Sequence, residues 1–140
     1  MNSIRIAESD DEIARCFAVM QQLRTHLIEG EFVPTVRRQQ INGYRLVYLE
    51  ERGQVRSVAG YRLIENLANG RILYVDDLVT DAACRSRGYG KALLAWLVQR
   101  AREHGCRTLE LDSAVQRSDA HRFYLANGMV ISSYHFRLKL

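Results

Sequence analysis

Cysteine, proline and long apolar runs are all scarce in this 140-residue chain, and each scarcity removes a class of protein. The three cysteines, Cys16, Cys84 and Cys106, are odd in number and lack CxxC spacing, so neither a disulfide framework nor a metal cluster is expected. A reducing cytoplasm suits them. The single proline, Pro34, and the lack of any Pro/Gly/Ser tract leave no linker, so residues 1–140 are expected to form one domain. No stretch approaches the ~18 apolar residues of a membrane span, and MNSIRIAESDDE has no apolar signal region. A soluble cytoplasmic protein with no membrane partner is the expectation. An excess of one charge is also lacking: 20 basic against 16 acidic residues give +4. That bias favours an anionic ligand but falls short of a nucleic-acid footprint, and Arg37-Arg38 has no recognition motif around it.

What is present is a regular alternation of elements. Ile4 and Ile6 alternate with polar residues as a short strand, and Ser9 to Glu12 form a capping box ahead of Ile13, Phe17, Met20, Leu23 and Leu27 at helical spacing. Pro34-Thr35 opens a second, shorter helix to about Gln40. The run RLVYLEERGQVRSVAGYRLIENLANGRILYVDDLVT reads as three antiparallel strands, turning near Gly53 and at Asn69-Gly70. Leu93, Leu94, Leu97, Val98 and Ala101 share a helix face until Gly105 stops it. A strand at RTLELDS follows, then a helix capped by Ser118-Asp119, and VISSYHFRLKL ends in extended form. The order βααβββαβαβ predicts a mixed α/β domain: a largely antiparallel central sheet flanked by helices.

The corner Arg85-Ser86-Arg87-Gly88-Tyr89-Gly90 falls between a strand end and a helix start, where unpaired N–H groups and the positive end of the helix dipole attract anions. Glycines let the backbone approach a phosphate, and Arg85, Arg87 or Lys91 add charge-assisted hydrogen bonds. A Walker loop is excluded by Arg85 and Ala92, and a dinucleotide GxGxxG by Leu93 in place of its third glycine.

Arg85-x-x-Gly88-x-Gly90 resembles the R/Q-x-x-G-x-G/A signature of the GNAT superfamily of acyl-CoA-dependent N-acyltransferases. LYVDDLVTDAACRSRGYGKALL is similar to that family's strand and pyrophosphate loop, and HRFYLANGM to its A-x-x-x-Y-x-x-x-G-F pattern, with Ala120, Tyr124 and Gly128 in register. Arg117 stands where many members have Asn, and Met129 where they have Phe. The resemblance covers most of the chain from Ile4 onward. It implies an acetyltransferase that moves an acetyl group from acetyl-CoA to a primary amine by direct attack in a ternary complex. It also implies an abbreviated last strand pair and a homodimer, since the family commonly dimerises. The competing reading is an acyl-CoA-binding regulatory module without turnover; Arg117 speaks for that reading, and Tyr124 for the enzyme.

By that resemblance, backbone N–H groups of Leu78, Val79 and Thr80 bind the acyl carbonyl and pantetheine. Arg85, Ser86, Arg87, Gly88, Tyr89, Gly90 and Lys91 hold the pyrophosphate, and Tyr124 approaches the leaving sulfur. A tyrosine near pKa ~10 protonates a thiolate near ~8.5 only uphill, by about 2 kcal/mol, so a hydrogen bond to the developing charge is the expected role. The acceptor, a small-molecule or peptide amine, arrives protonated and needs a base. Asp76 and Asp77 are the nearest candidates; on a regular strand they face opposite sides, so one of them reaches the site unless a bulge intervenes. His121 lies one turn before Tyr124. Residues 26–45 are expected to line the acceptor cleft, with Glu29 and Glu31 drawing an amine and Arg37 and Arg38 suiting a carboxylate on it.

Overall fold

The computed structural model describes residues 2–140. These divide into two compact units, residues 2–110 and 111–140. The first begins with β1 (Asn2–Ile6), α1 (Asp10–Arg15), α2 (Phe17–Leu23) and α3 (Glu29–Gln40). It continues with the meander β2 (Arg45–Glu51), β3 (Gln54–Asn66) and β4 (Gly70–Thr80), a short 3-10 turn (Ala82–Cys84), α4 (Tyr89–Glu103) and β5 (Thr108–Leu111), whose last residue crosses into the second unit. The strands lie in the order β1-β2-β3-β4-β5, and the first four are antiparallel neighbours. The mixed α/β class and the meander are as the alternation predicts. Among the described residues no helix is long and apolar enough to cross a membrane.

Each helix forms for a local reason. Ser9 Oγ accepts from the Glu12 N–H at 3.1 Å and Glu12 Oε1 accepts from the Ser9 N–H at 2.9 Å, closing the capping box. The first helix is divided at Cys16, whose N–H turns to the Ile13 carbonyl at 3.0 Å, and it ends at Leu23, so Leu27 lies beyond it. The expectation that Pro34 opens α3 is corrected: α3 starts at Glu29 with Pro34 inside. Phe32 and Val36, one turn apart and both buried, pull the helix back through the proline, at the cost of one backbone hydrogen bond. α4 stops as expected: the Cys106 N–H bonds the Ala101 carbonyl at 2.9 Å and the Gly105 N–H bonds the Arg102 carbonyl at 3.1 Å, with Gly105 at φ +68.

The helices cover both faces of the sheet. Ile13, Phe17, Met20, Phe32 and Val36 from α1–α3 bury against Tyr44, Leu46, Tyr48, Val58 and Val79. On the other face, α4 packs on β3 and β4 through Leu93, Leu94, Leu97 and Ala101. Fully burying one such side chain is worth roughly 1.5–3 kcal/mol, so this double layer fixes the sheet that carries the site.

In the second unit, α5 spans Ser118–Ala126. Arg117 occupies the N-cap without a side-chain hydrogen bond, so Ser118 is the first helical residue and not the expected cap. Residues 130–140 form neither helix nor strand, so the final β of the expected order βααβββαβαβ is not formed.

Candidate active site

β4 carries one irregularity, at its two aspartates. Gly60 on β3 pairs with Asp77 while Tyr61 pairs with Val75, leaving Asp76 as the extra residue of a β-bulge. On a regular strand Tyr74 and Asp76 would share a face and Asp77 would point away. The bulge resets the alternation, so Tyr74, Asp76 and Asp77 all line one cavity of about 640 Å³. The expectation that the two aspartates face opposite sides is therefore corrected. The cavity lies between this stretch of sheet and α2–α3, with Met20, Leu27, Phe32 and Val36 as its apolar wall.

The aspartates differ in environment. Asp77 has both oxygens engaged: Arg24 Nε donates to Oδ1 at 2.8 Å and the Tyr44 hydroxyl donates to Oδ2 at 2.8 Å. Burial, reinforced by the adjacent Asp77 charge, pushes the Tyr44 phenol well above its ordinary pKa and keeps it a donor. Asp76 accepts from Arg62 Nε at 2.9 Å through Oδ2, whereas Oδ1 is buried with no hydrogen-bond partner. Burial raises the Asp76 pKa, and Arg62 only partly offsets it. A carboxylate more basic than usual, 22% exposed along its side chain, is what a proton acceptor requires. Arg24 also donates to the Asp76 carbonyl at 2.8 Å, and the Arg62 guanidinium lies over the Tyr44 ring at 5.4 Å, tying the two carboxylates into one network.

Beyond the bulge, β4 runs through Leu78, Val79 and Thr80, with Thr80 about 10 Å from Asp77 at ~3.3 Å per residue. The Asp81 N–H bonds the Arg56 carbonyl at 2.8 Å, so the antiparallel alternation points the N–H groups of Leu78 and Thr80 away from β3. The Val79 carbonyl takes the Ser57 hydroxyl at 2.9 Å. On the far side the Arg107 N–H bonds the Arg71 carbonyl at 2.7 Å, and the four residues of β5 accompany only the first half of β4. The second half of β4 thus presents backbone donors that β5 does not use.

The corner follows directly. Gln22 fixes its entry by donating to Asp81 Oδ1 at 3.1 Å and accepting the Ala82 N–H at 2.9 Å. Arg85, Ser86, Arg87 and Lys91 are exposed, while Tyr89 is buried with Cys84 and Leu49 and donates to Glu51 at 2.7 Å. Gly88 is the N-cap of α4 at φ +83, with open space where a Cβ would stand and no side chain to cap the helix. The first N–H groups of a 15-residue helix therefore face outward, among Arg85, Arg87 and Lys91. The corner fits a pyrophosphate in charge, in backbone donors and in clearance.

Tyr124 belongs to the second unit, half-buried on α5 and edge-to-face with Phe123 at 5.6 Å. The neighbouring His121 ring hydrogen-bonds the Ala114 carbonyl at 2.9 Å, which gives it a structural partner. The residues expected about the acceptor are only partly gathered at this cavity. His26, Leu27, Phe32, Thr35, Val36, Gln39 and Tyr44 do line the cavity, but Glu29 and Glu31 are exposed outside it, and Arg37 is turned to Asp10 at 2.8 Å. Arg24, Tyr44 and Arg62 also line it. The signal for Tyr44 lay in Gly60, an isolated glycine inside a strand, which marks a close approach.

Residues 8–129 match the model of the acetyltransferase (GNAT) family, a match that extends over both units. The chain is 40% identical over 131 residues to the uncharacterized N-acetyltransferase YhdJ of Bacillus subtilis (strain 168), covering 92% of each chain. It is 39% identical over 62 residues to the aminoalkylphosphonate N-acetyltransferase of Salmonella typhimurium, 44% of this chain and 40% of that one. Among solved structures, the aminoglycoside N-acetyltransferase AAC(6')-Iy in complex with CoA has a TM-score of 0.87 at 14% identity, over 100% of this chain and 95% of that one, a likeness of fold.

Proposed function

We propose that this chain, which belongs to the acetyltransferase (GNAT) family, transfers an acetyl group from acetyl-CoA to a primary amine within a ternary complex. The observation that carries the reading is the β4 bulge. One continuous strand brings two carboxylates to an amine-sized cavity, then presents spare backbone donors, and then delivers the chain to an anion-holding helix start. Acetyl-CoA supplies the activated acyl carbonyl and a thiolate leaving group. The corner from Arg85 to Lys91 holds the pyrophosphate, largely by the N–H groups of Tyr89, Gly90 and Lys91. The backbone donors of Leu78 and Thr80 bind the carbonyl oxygen and the pantetheine arm, an arrangement worth about 3–4 kcal/mol per donor where negative charge develops, while the expected donor of Val79 faces β3 instead.

Asp76 accepts the proton that the amine must lose, with its raised pKa setting it between the free carboxylate and the ammonium. Asp77, held by Arg24 and Tyr44, orients the incoming nitrogen. The phenol of Tyr124 donates a hydrogen bond toward the leaving sulfur, the role implied by its matched motif position. The amine nitrogen forms the new C–N bond as the C–S bond breaks, and its proton passes to Asp76. The acceptor is a small amine or a peptide amine; the aminoalkylphosphonate and aminoglycoside enzymes among the similar proteins both act on amino groups.

Calorimetry with CoA tests the cofactor half of this reading. Gly88→Asp and Gly90→Asp each put a carboxylate against the pyrophosphate, and affinity should fall at least tenfold in both. Undiminished affinity would remove the corner from the site.

A further inference from the structure

The cavity beside the β4 bulge carries two guanidiniums as well as two carboxylates. Arg24 pairs with Asp77 at 2.8 Å and Arg62 with Asp76 at 2.9 Å, so these four charges sum to zero. His26, the remaining basic side chain of the lining, can only add to the positive side. Neither Glu29 nor Glu31 joins them, since both are exposed outside the cavity. A plain ammonium entering here brings an unbalanced positive charge beside two guanidiniums, where screening is weaker than in bulk water. A polyamine, with further positive charges, fits worse.

Arg24 shows what would restore the balance. Its Nε donates to Asp77 Oδ1 and its Nη2 to the Asp76 carbonyl, both at 2.8 Å, so one planar fork is pinned across the bulge. Its Nη1 donates to no group among the described residues, and the side chain is 43% exposed. Two of its five N–H donors are thus left for a ligand. An anion on that edge lies close to an amine received by Asp76 and Asp77, because the same guanidinium touches both residues. The acid and the amine must therefore be near neighbours in one molecule. An α-amino acid meets that condition, with a single carbon between its nitrogen and its carboxyl group. The side chain on that carbon has the apolar wall of Met20, Leu27, Phe32 and Val36 to pack against, and the volume of about 640 Å³ falls in the ~300–1,000 Å³ range of small-ligand sites.

We propose that the acceptor is a free α-amino acid with an apolar side chain, its amine at Asp76 and Asp77, its carboxylate on Arg24 and its side chain against Met20, Leu27, Phe32 and Val36. This names the acceptor of the acetyl-transfer reading above and rests on that reading. The zwitterion enters a charge-balanced cavity without net charge, and its carboxylate makes charge-assisted hydrogen bonds to the unused edge of Arg24. On transfer the nitrogen lone pair forms the C–N bond, the C–S electron pair leaves with the CoA sulfur, and the proton from nitrogen goes to Asp76. The product is the N-acetylated amino acid, its carboxylate unchanged. A peptide N-terminus is disfavoured, since an uncharged peptide group stands where Arg24 expects an anion.

Calorimetry on the intact chain saturated with CoA, which has no acetyl group to give, tests the carboxylate requirement apart from turnover. Leucine, methionine and phenylalanine are each compared with their carboxamide and with the amine that lacks the carboxyl group. At least one amino acid should bind about tenfold or more tightly than both of its analogues, and Arg24→Gln should bring that ratio close to one. Should Arg24→Gln fail to fold, the comparison of ligands on the unaltered chain decides alone. Analogues that bind as well as the amino acids, spermidine binding more tightly than any of them, a ratio unmoved in folded Arg24→Gln, or no binding by all three amino acids would overturn the proposal. Thiol release from acetyl-CoA with the same compounds separates this inference from the reading beneath it. Release with the plain amines as fast as with the amino acids would overturn the inference and leave acetyl transfer standing. Carboxylate-dependent binding without any release would do the reverse, keeping the ligand and removing the transfer.

Discussion

The phenol ring of Tyr44 lies where a side chain at Gly60 would be, and that vacancy is what lets its hydroxyl reach Asp77 at 2.8 Å. Gly60 pairs with Asp77 across β3 and β4, so the missing Cβ sits between the two groups that hydrogen-bond. Gly60→Ala should therefore destabilise the fold by about 1–3 kcal/mol through overpacking against a fully buried ring. In a thermal-melt double-mutant cycle with Tyr44→Ala, the combined loss should fall short of the sum by at least about 0.5 kcal/mol, because the second change removes what the first collides with. Simple additivity would show that the two positions do not compete for the same space.

Asp76 and Asp77 should separate in a pH profile. Burial raises the Asp76 pKa, so as pH falls through that raised value Asp76 takes up a proton and can no longer accept the amine's. The acid limb of kcat/KM should thus lie above the ordinary aspartate range, and Asp76→Asn should remove it while lowering the rate roughly 10²–10⁴-fold. Asp77→Asn, which weakens a positioning contact, should leave the limb in place and raise KM. An unshifted acid limb in Asp76→Asn would exclude that residue as the base.

The alternation of apolar residues made the sheet, the meander and α4 legible, and the glycine corner was legible because an anion-holding helix start needs few residues and no distant partner. The network around the carboxylates was not. Arg24 and Arg62 are separated from their partners by 53 and 14 residues, and a one-residue bulge decides which way an aspartate points. Nothing in the local pattern of VDDLVT marks where the extra residue falls; it is placed by the pairing of β3, where Gly60 and Tyr61 change register. The α3 start was misplaced for a similar reason, since buried Phe32 overrode the local preference of Pro34.

Glu12 gives the fold an acid-sensitive cap. Hydrogen bonds from the Ser9 and Glu8 N–H groups hold its pKa down to about 2, below the ordinary value of 4.5. A depressed carboxylate contributes stability that is present above the unfolded value and lost as pH falls toward the folded one. Melting temperatures of the chain and of Glu12→Gln should therefore differ at pH 7 and converge between about pH 4.5 and 2. A gap that persists at pH 2 would mean that the side chain acts by shape, without its charge.

Tyr124 should serve the chemical step more than cofactor binding. Tyr124→Phe keeps the ring and its edge-to-face packing on Phe123 but removes the hydroxyl. Single-turnover acyl transfer should slow on the order of 10–1000-fold, with CoA affinity nearly unchanged, since a bond made only to the developing thiolate is felt only in the transition state. A transfer rate equal to that of the unaltered chain would reduce Tyr124 to a packing residue.

The most direct test of the whole account is thiol release from acetyl-CoA, followed across a panel of primary amines offered at a fixed concentration. The account predicts release well above hydrolysis with at least one amine, appearance of the matching N-acetyl product in equal amount, and loss of both in Asp76→Asn. Tight CoA binding without amine-dependent release from any member of the panel would contradict it, and would make the chain an acyl-CoA-binding module.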